Sequence, residues 1–151
     1  PLQWSGVPPG AASLVLVVED ADAPTPHPLV HAIVVDLAPE DGALPEGALP
    51  SKDHEGNGVR VGRNSYLQAA WLPPDPPPGH GVHRYAFQVF ALAGGELAGT
   101  PGRDAVLDAI REHGLASGCL IGTYERPDGS IKTPADEEAA TPSVPSAGLA
   151  L

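Results

Sequence analysis

With a single cysteine, Cys119, the chain cannot form an intrachain disulfide, and its fold has to be held without covalent staples. That usage fits a reducing cytoplasm. Basic residues are scarce: eight Lys and Arg stand against nineteen Asp and Glu, for a formal net charge of -11. Such a field repels nucleic acid and anionic membranes, so neither is expected as a general partner. Any anion must be held by a local site working against the charge of the whole molecule. No apolar run approaches the ~18 residues of a membrane span, and neither integral membrane association nor a signal peptide is expected. The missing initiator methionine and the start at Pro1 point to a trimmed or incomplete N-terminus. No internal repeat of fixed period is visible. Ser65 and Ser117 lack a Gly-x-Ser-x-Gly elbow, and Gly56-Asn57-Gly58 and Gly94-Gly95 lack the Lys-Ser that completes a nucleotide phosphate loop. Cys119, mid-strand among apolar neighbours, reads as inert packing.

What remains describes one globular domain. The 151 residues are 42% hydrophobic and 18% charged, enough to bury a core. Eighteen Gly and nineteen Pro fall between apolar runs, which favours a turn-rich β protein. Ser13-Leu14-Val15-Leu16-Val17-Val18 and His31-Ala32-Ile33-Val34-Val35-Asp36-Leu37 read as buried strands, followed by strands over Tyr85–Leu92 and Cys119–Tyr124. Trp4 reads as a core or lid aromatic, and Pro8-Pro9-Gly10 as a turn. Ala38 to Gly62 reads as a long surface connection with short pieces of strand. Thr100-Pro101 predicts a helix start, Val106, Leu107 and Ile110 its apolar face, and Gly114 its end. Strands with one late helix indicate an all-β dominated antiparallel sandwich or barrel. The domain spans 1–126, and the Pro, Ala and acid-rich stretch 127–151 is expected to be a disordered tail.

Candidate chemistry lies at strand ends. Asp20-Ala21-Asp22-Ala23-Pro24 closes one buried strand, His31 opens the next, and a stiff Pro76-Pro77-Pro78-Gly79-His80-Gly81 loop leads into Val82-His83-Arg84-Tyr85. A carboxylate there can hold a histidine in one tautomer and favour its protonation, supplying donors for an anion. Asp22 reads as a turn cap. Arg84 and Tyr85 alternate on a strand, so only one faces a pocket, and Tyr85 is taken to be that one. Asp20, His31 and His83 also make a chemically adequate metal set, although the spacing matches no compact ligand motif. An acid–base pair of Asp20 and His83 would suit a hydrolase.

Asp20-Ala21-Asp22-Ala23-Pro24, His31 and Gly81-Val82-His83-Arg84-Tyr85 resemble the two signature regions of the phosphatidylethanolamine-binding proteins, in their bacterial Raf-kinase-inhibitor-like branch. Leu2-Gln3-Trp4-Ser5-Gly6-Val7-Pro8, Gly62-Arg63-Asn64-Ser65-Tyr66 and Gly122-Thr123-Tyr124-Glu125-Arg126 are similar to the same branch. The resemblance implies an antiparallel Greek-key β-sandwich with a small anion pocket lined by Asp20, His31 and His83, with Pro24, Pro77 and Tyr85 nearby. It implies a phosphate-like or phospholipid-headgroup ligand, no general catalytic activity, a kinase or similar protein as partner, and frequent homodimers; no cofactor or metal is expected. Three positions depart from the pattern: Ala21 replaces a proline, Leu29-Val30 precede His31 in place of an aromatic, and Leu72-Pro73 replace a glycine pair.

Overall fold

A computed structural model describes residues 1–127 and the backbone of 148–150. Its elements are β1 (Leu2–Ser5), β2 (Ser13–Asp20), β3 (Leu29–Leu37), β4 (Gly42–Leu44), β5 (His83–Leu92), α1 (Arg103–His113), β6 (Gly114–Tyr124) and β7 (Gly148–Ala150). Four strands form an antiparallel sheet in the order β3-β2-β5-β6. A second, smaller sheet has the order β4-β1-β7, with β4 antiparallel and β7 parallel to β1. Strand β5 pairs with β2 rather than with β3. The chain leaves β3, contributes β4 to the other sheet and returns across β2, the long crossover of Greek-key architecture. Apart from Pro127 and the β7 backbone, the expected tail lies outside the described residues.

Strand β2 shows why the sandwich forms. Its run of consecutive apolar residues has no polar face to turn toward water, so both of its faces must be covered. Leu14, Leu16 and Val18 enter the core between the sheets, with Trp4, Val34, Leu44, Phe87 and Val89. Val15 and Val17 point the other way, against Ile33, Val35 and Leu92, where Val106 and Ala109 of α1 seal them. Trp4 is a core residue, its indole N–H donating to the Glu40 carbonyl at 3.0 Å.

The structure moves several boundaries. The helix begins at Arg103, with Gly102 as an N-cap that makes no side-chain bond, and not at Thr100-Pro101. The Thr100 and Pro101 carbonyls accept instead from the Arg63 Nε–H and backbone N–H, so that pair serves a loop contact. In the long connection, Arg60–Gly62 lies along β3: the Val35 N–H donates to Arg60, the Gly62 N–H to Ile33, and Val61 bridges Val34. This irregular pairing satisfies backbone groups that β3 would otherwise leave open at the sheet edge. Cys119 sits mid-strand as expected, but its side chain is exposed rather than packed.

Gly62 is the tightest point of that arrangement. A Cβ there would lie 2.3 Å from the Pro101 carbonyl oxygen and 2.8 Å from Ile33 Cγ2. Gly62→Ala should therefore cost about 1–3 kcal/mol of stability or more, as overpacking does. Gly102→Ala, which meets nothing within 4 Å, should cost under about 1 kcal/mol. Urea denaturation of both variants checks the contrast.

Candidate functional site

The end of β2 and the start of β5 are in register at Asp20 and Tyr85, and His83 lies two residues before Tyr85 on the same face of β5. On the other side of β2 the ladder jumps from Val18–Ala32 to Glu19–Val30. His31 falls in this β-bulge, a device that re-aims a side chain. Its ring lies edge-on to Tyr85, with centroids 5.2 Å apart, and 6.3 Å from the ring of Trp71. Asp20, His31, His83 and Tyr85 are all buried, each 3% exposed or less.

Neighbouring loops fix these side chains. Buried Asn64 accepts from the Tyr66 and Gln68 N–H groups and donates to the Ala70 carbonyl, shaping the turn before Trp71. Ser65 clamps this loop to Val30 from both sides, through its own N–H and its hydroxyl. Leu72 then meets His31 twice: its N–H donates to the His31 carbonyl at 2.8 Å, and its carbonyl lies 2.7 Å from His31 Nδ1. A carbonyl only accepts, so His31 carries its hydrogen on Nδ1. Burial lowers the pKa of His31, against the opposing effects of the Leu72 bond and the Asp20 charge. The neutral ring therefore presents a bare Nε2 lone pair.

Asp20 Oδ2 lies 2.7 Å from His83 Nδ1, while Oδ1 accepts from the Asp22 N–H at 2.8 Å. The turn cap is thus Asp20. Asp22 instead takes three bonds from Arg84: the backbone N–H and Nε–H to Oδ2, and the terminal N–H to Oδ1. These bonds hold the Asp22 carboxyl well below its usual range. Arg84 points outward and Tyr85 inward. Burial pushes the Tyr85 hydroxyl well above its usual pKa, with the Asp20 charge adding to it, so it remains a neutral donor.

Two buried polar atoms in this cluster, His31 Nε2 and Tyr85 Oη, have no hydrogen-bond partner among the described residues. Pro24 and Pro77 are exposed. The Pro77 carbonyl accepts from the His80 N–H at 3.2 Å. In sequence His80 is one of several histidines scattered over loops, yet its Nδ1 lies 2.7 Å from His83 Nε2. The only available signal was its position three residues before His83. Among the described residues, no three His, Cys, Asp or Glu side chains converge as a metal site.

Comparison with known proteins places this geometry in context. The sequence model described as phosphatidylethanolamine-binding protein matches residues 1–125. A UPF0098 protein of Aquifex aeolicus is 36% identical over 125 residues, covering 82% of this chain and 71% of that protein. UPF0098 protein Mb1945c of Mycobacterium bovis is 41% identical over 126 residues, covering 83% of this chain but only 57% of the relative. The chain thus spans little more than half the length of this mycobacterial relative. The crystal structure of E. coli YbcL, described as a member of the mammalian PEBP family, superposes with a TM-score of 0.69 at 28% identity, covering 85% of this chain and 77% of YbcL.

The state of His31 sets a pH dependence. Its folded pKa lies below its unfolded value of about 6.5, so the folded state resists the proton that the unfolded state takes up. Its contribution to stability is fully present above pH ~6.5 and is lost as pH falls below that value, by at most about 1.4 kcal/mol per pH unit. Urea melts at pH 7.5 and 5.5 should show this loss, and His31→Asn should flatten it from a lower starting stability.

Proposed function

From the premise that this chain belongs to the phosphatidylethanolamine-binding protein family, we propose that it is a non-catalytic binding protein for a small phosphate-like anion, held in the Asp20–His31–His83–Tyr85 cluster. The observation that carries this reading is the pair of buried, unpartnered atoms on adjoining rings, His31 Nε2 and Tyr85 Oη. Leaving such groups unpaired costs free energy, and a site that does so is organised for something that will pair with them. Tyr85 offers a donor. His31 offers a lone pair, so the anion must bring an O–H, as a singly protonated phosphate does, or a proton must join His31 on binding. Asp20 holds His83 through Nδ1, aiming Nε2 away from the carboxylate. Pro24 and Pro77, both exposed, fit this reading as outer-rim residues.

A phospholipid headgroup and a phosphorylated protein, such as a kinase partner, both carry this anion chemistry. We place the protein in the cytoplasm as part of the same proposal. Among the described residues no helix is long and apolar enough to cross a membrane. The hydrolase alternative rests on the Asp20–His83 pair. It needs a nucleophile or water at His83 Nε2, where the structure has His80.

The test is a thermal melt with phosphate, phosphoethanolamine or phosphotyrosine against ionic-strength-matched chloride. At a hundredfold excess over Kd, binding to the folded state adds about 2.7 kcal/mol. Tyr85→Phe should abolish most of that shift while leaving the ligand-free protein as stable or up to about 1 kcal/mol more so, because it deletes a buried hydroxyl that has no partner. Equal phosphate shifts in the parent and Tyr85→Phe would contradict the reading. The proton requirement makes a second expectation: phosphoethanolamine, a monoester that loses its last phosphate proton near pH ~6, should bind more tightly by calorimetry at pH 6 than at pH 8, by up to about tenfold per pH unit for one linked proton.

A further inference from the structure

His83 has two ring nitrogens, and each forms one hydrogen bond in the plane of the ring. Nδ1 is committed to Asp20 at 2.7 Å, and Nε2 to His80 Nδ1, also at 2.7 Å. One proton lies between the two histidines whichever of them carries it. An anion bound by His83 would need the position that His80 holds, so the two are mutually exclusive. From this geometry, and resting on the proposed anion site, we infer that His80 is a latch: an intramolecular stand-in that closes the site, and that a phosphate-like ligand must displace.

The loop is built for such an exchange. His80 is exposed while its partner His83 is 2% exposed, so the bond joins a free-standing side chain to a buried one. Gly79 (φ 70°) and Gly81 (φ 86°) flank His80 in the left-handed region, where glycine moves at little steric cost. A Cβ on Gly81 would meet nothing within 4 Å, so the surroundings leave this side of the hinge open. On the other side the loop is anchored. The Gly79 N–H donates to the Arg126 carbonyl at 3.0 Å, and Arg126 pairs with Asp75. Pro76-Pro77-Pro78 stiffens the arm leading to the hinge. The latch can therefore open at Gly79–Gly81 without disturbing β5, whose first residue is His83.

An ordinary neutral hydrogen bond favours the closed form about fivefold. Apparent affinity falls in proportion to the open fraction, about one sixth here, so His80→Ala should tighten phosphate binding about sixfold. Calorimetry with inorganic phosphate measures this on the parent and His80→Ala, with His83→Ala as the control that removes the site. A second measurement needs no ligand. Carbethoxylation of His83 by diethyl pyrocarbonate, located by peptide fragmentation, requires a free Nε2 and should run several-fold faster in His80→Ala than in the parent. Tighter binding with faster modification supports the latch. Weaker phosphate binding in His80→Ala would make His80 part of the binding set and overturn it, as would an unchanged modification rate. If phosphate binds neither protein, the anion reading itself fails, and the modification rate alone decides whether His80 covers His83.

Discussion

The buried carboxylate of Asp20 is the constraint on which this site depends. A charge so removed from water needs partners on both oxygens, and it has them in His83 Nδ1 and the Asp22 N–H. Each partner fixes a further piece of structure. The Asp22 N–H tightens the turn after β2, which lets Asp22 reach Arg84 and tie the start of β5 to that turn. His83, with one nitrogen held, can present the other in only one direction. Breaking one member of a buried pair leaves the other uncompensated, so the carboxylate and the imidazole stand or fall together.

The larger sheet makes that burial possible. Because β2 is apolar on both faces, it sits between two neighbours, with a second sheet on one side and α1 on the other. Its last residue therefore ends inside the protein and not at a solvated edge. The β-bulge opposite Val18 and Glu19 brings His31 to the same place from β3. Three strands thus deliver the cluster, and the Asn64–Leu72 loop sets the tautomer of His31 from outside the sheet. The Arg63-Asn64-Ser65-Tyr66 segment works as scaffolding for that loop: Asn64 and Ser65 commit their polar side-chain atoms to backbone groups.

Strands β2, β3 and β5 are legible in the sequence because continuous or alternating apolar residues leave few other solutions. Asp20, His31 and His83 stand out because polar groups at the ends of such runs need a reason to be there. Strand alternation shows only that one of Arg84 and Tyr85 faces inward; the structure buries Tyr85, the residue taken to be that one. What is not legible depends on contacts across long loops. Thr100-Pro101 has the local chemistry of a helix start, yet its carbonyls serve Arg63, 37 residues away for Thr100. Asp22 has the chemistry of a turn cap but finds Arg84, 62 residues on. His80 reads as one more loop histidine, since nothing local announces that a glycine-flanked turn will fold its ring onto His83. Cys119 reads as packed because its neighbours are apolar, whereas strand alternation places it on the exposed face of β6 with Ser117, Ile121 and Thr123.

The central claim is that this buried cluster takes a phosphate-like anion, and long-range proton–nitrogen NMR of the six histidines examines it most directly. In the ligand-free protein His31 Nε2 should have the shift of an unprotonated nitrogen, with Nδ1 protonated. On addition of phosphate at pH 6, the account predicts that His31 Nε2 moves toward the protonated or hydrogen-bonded range and that His83 Nε2 changes with it. Changes confined to His27, His54 and His113, or none at all, would contradict it.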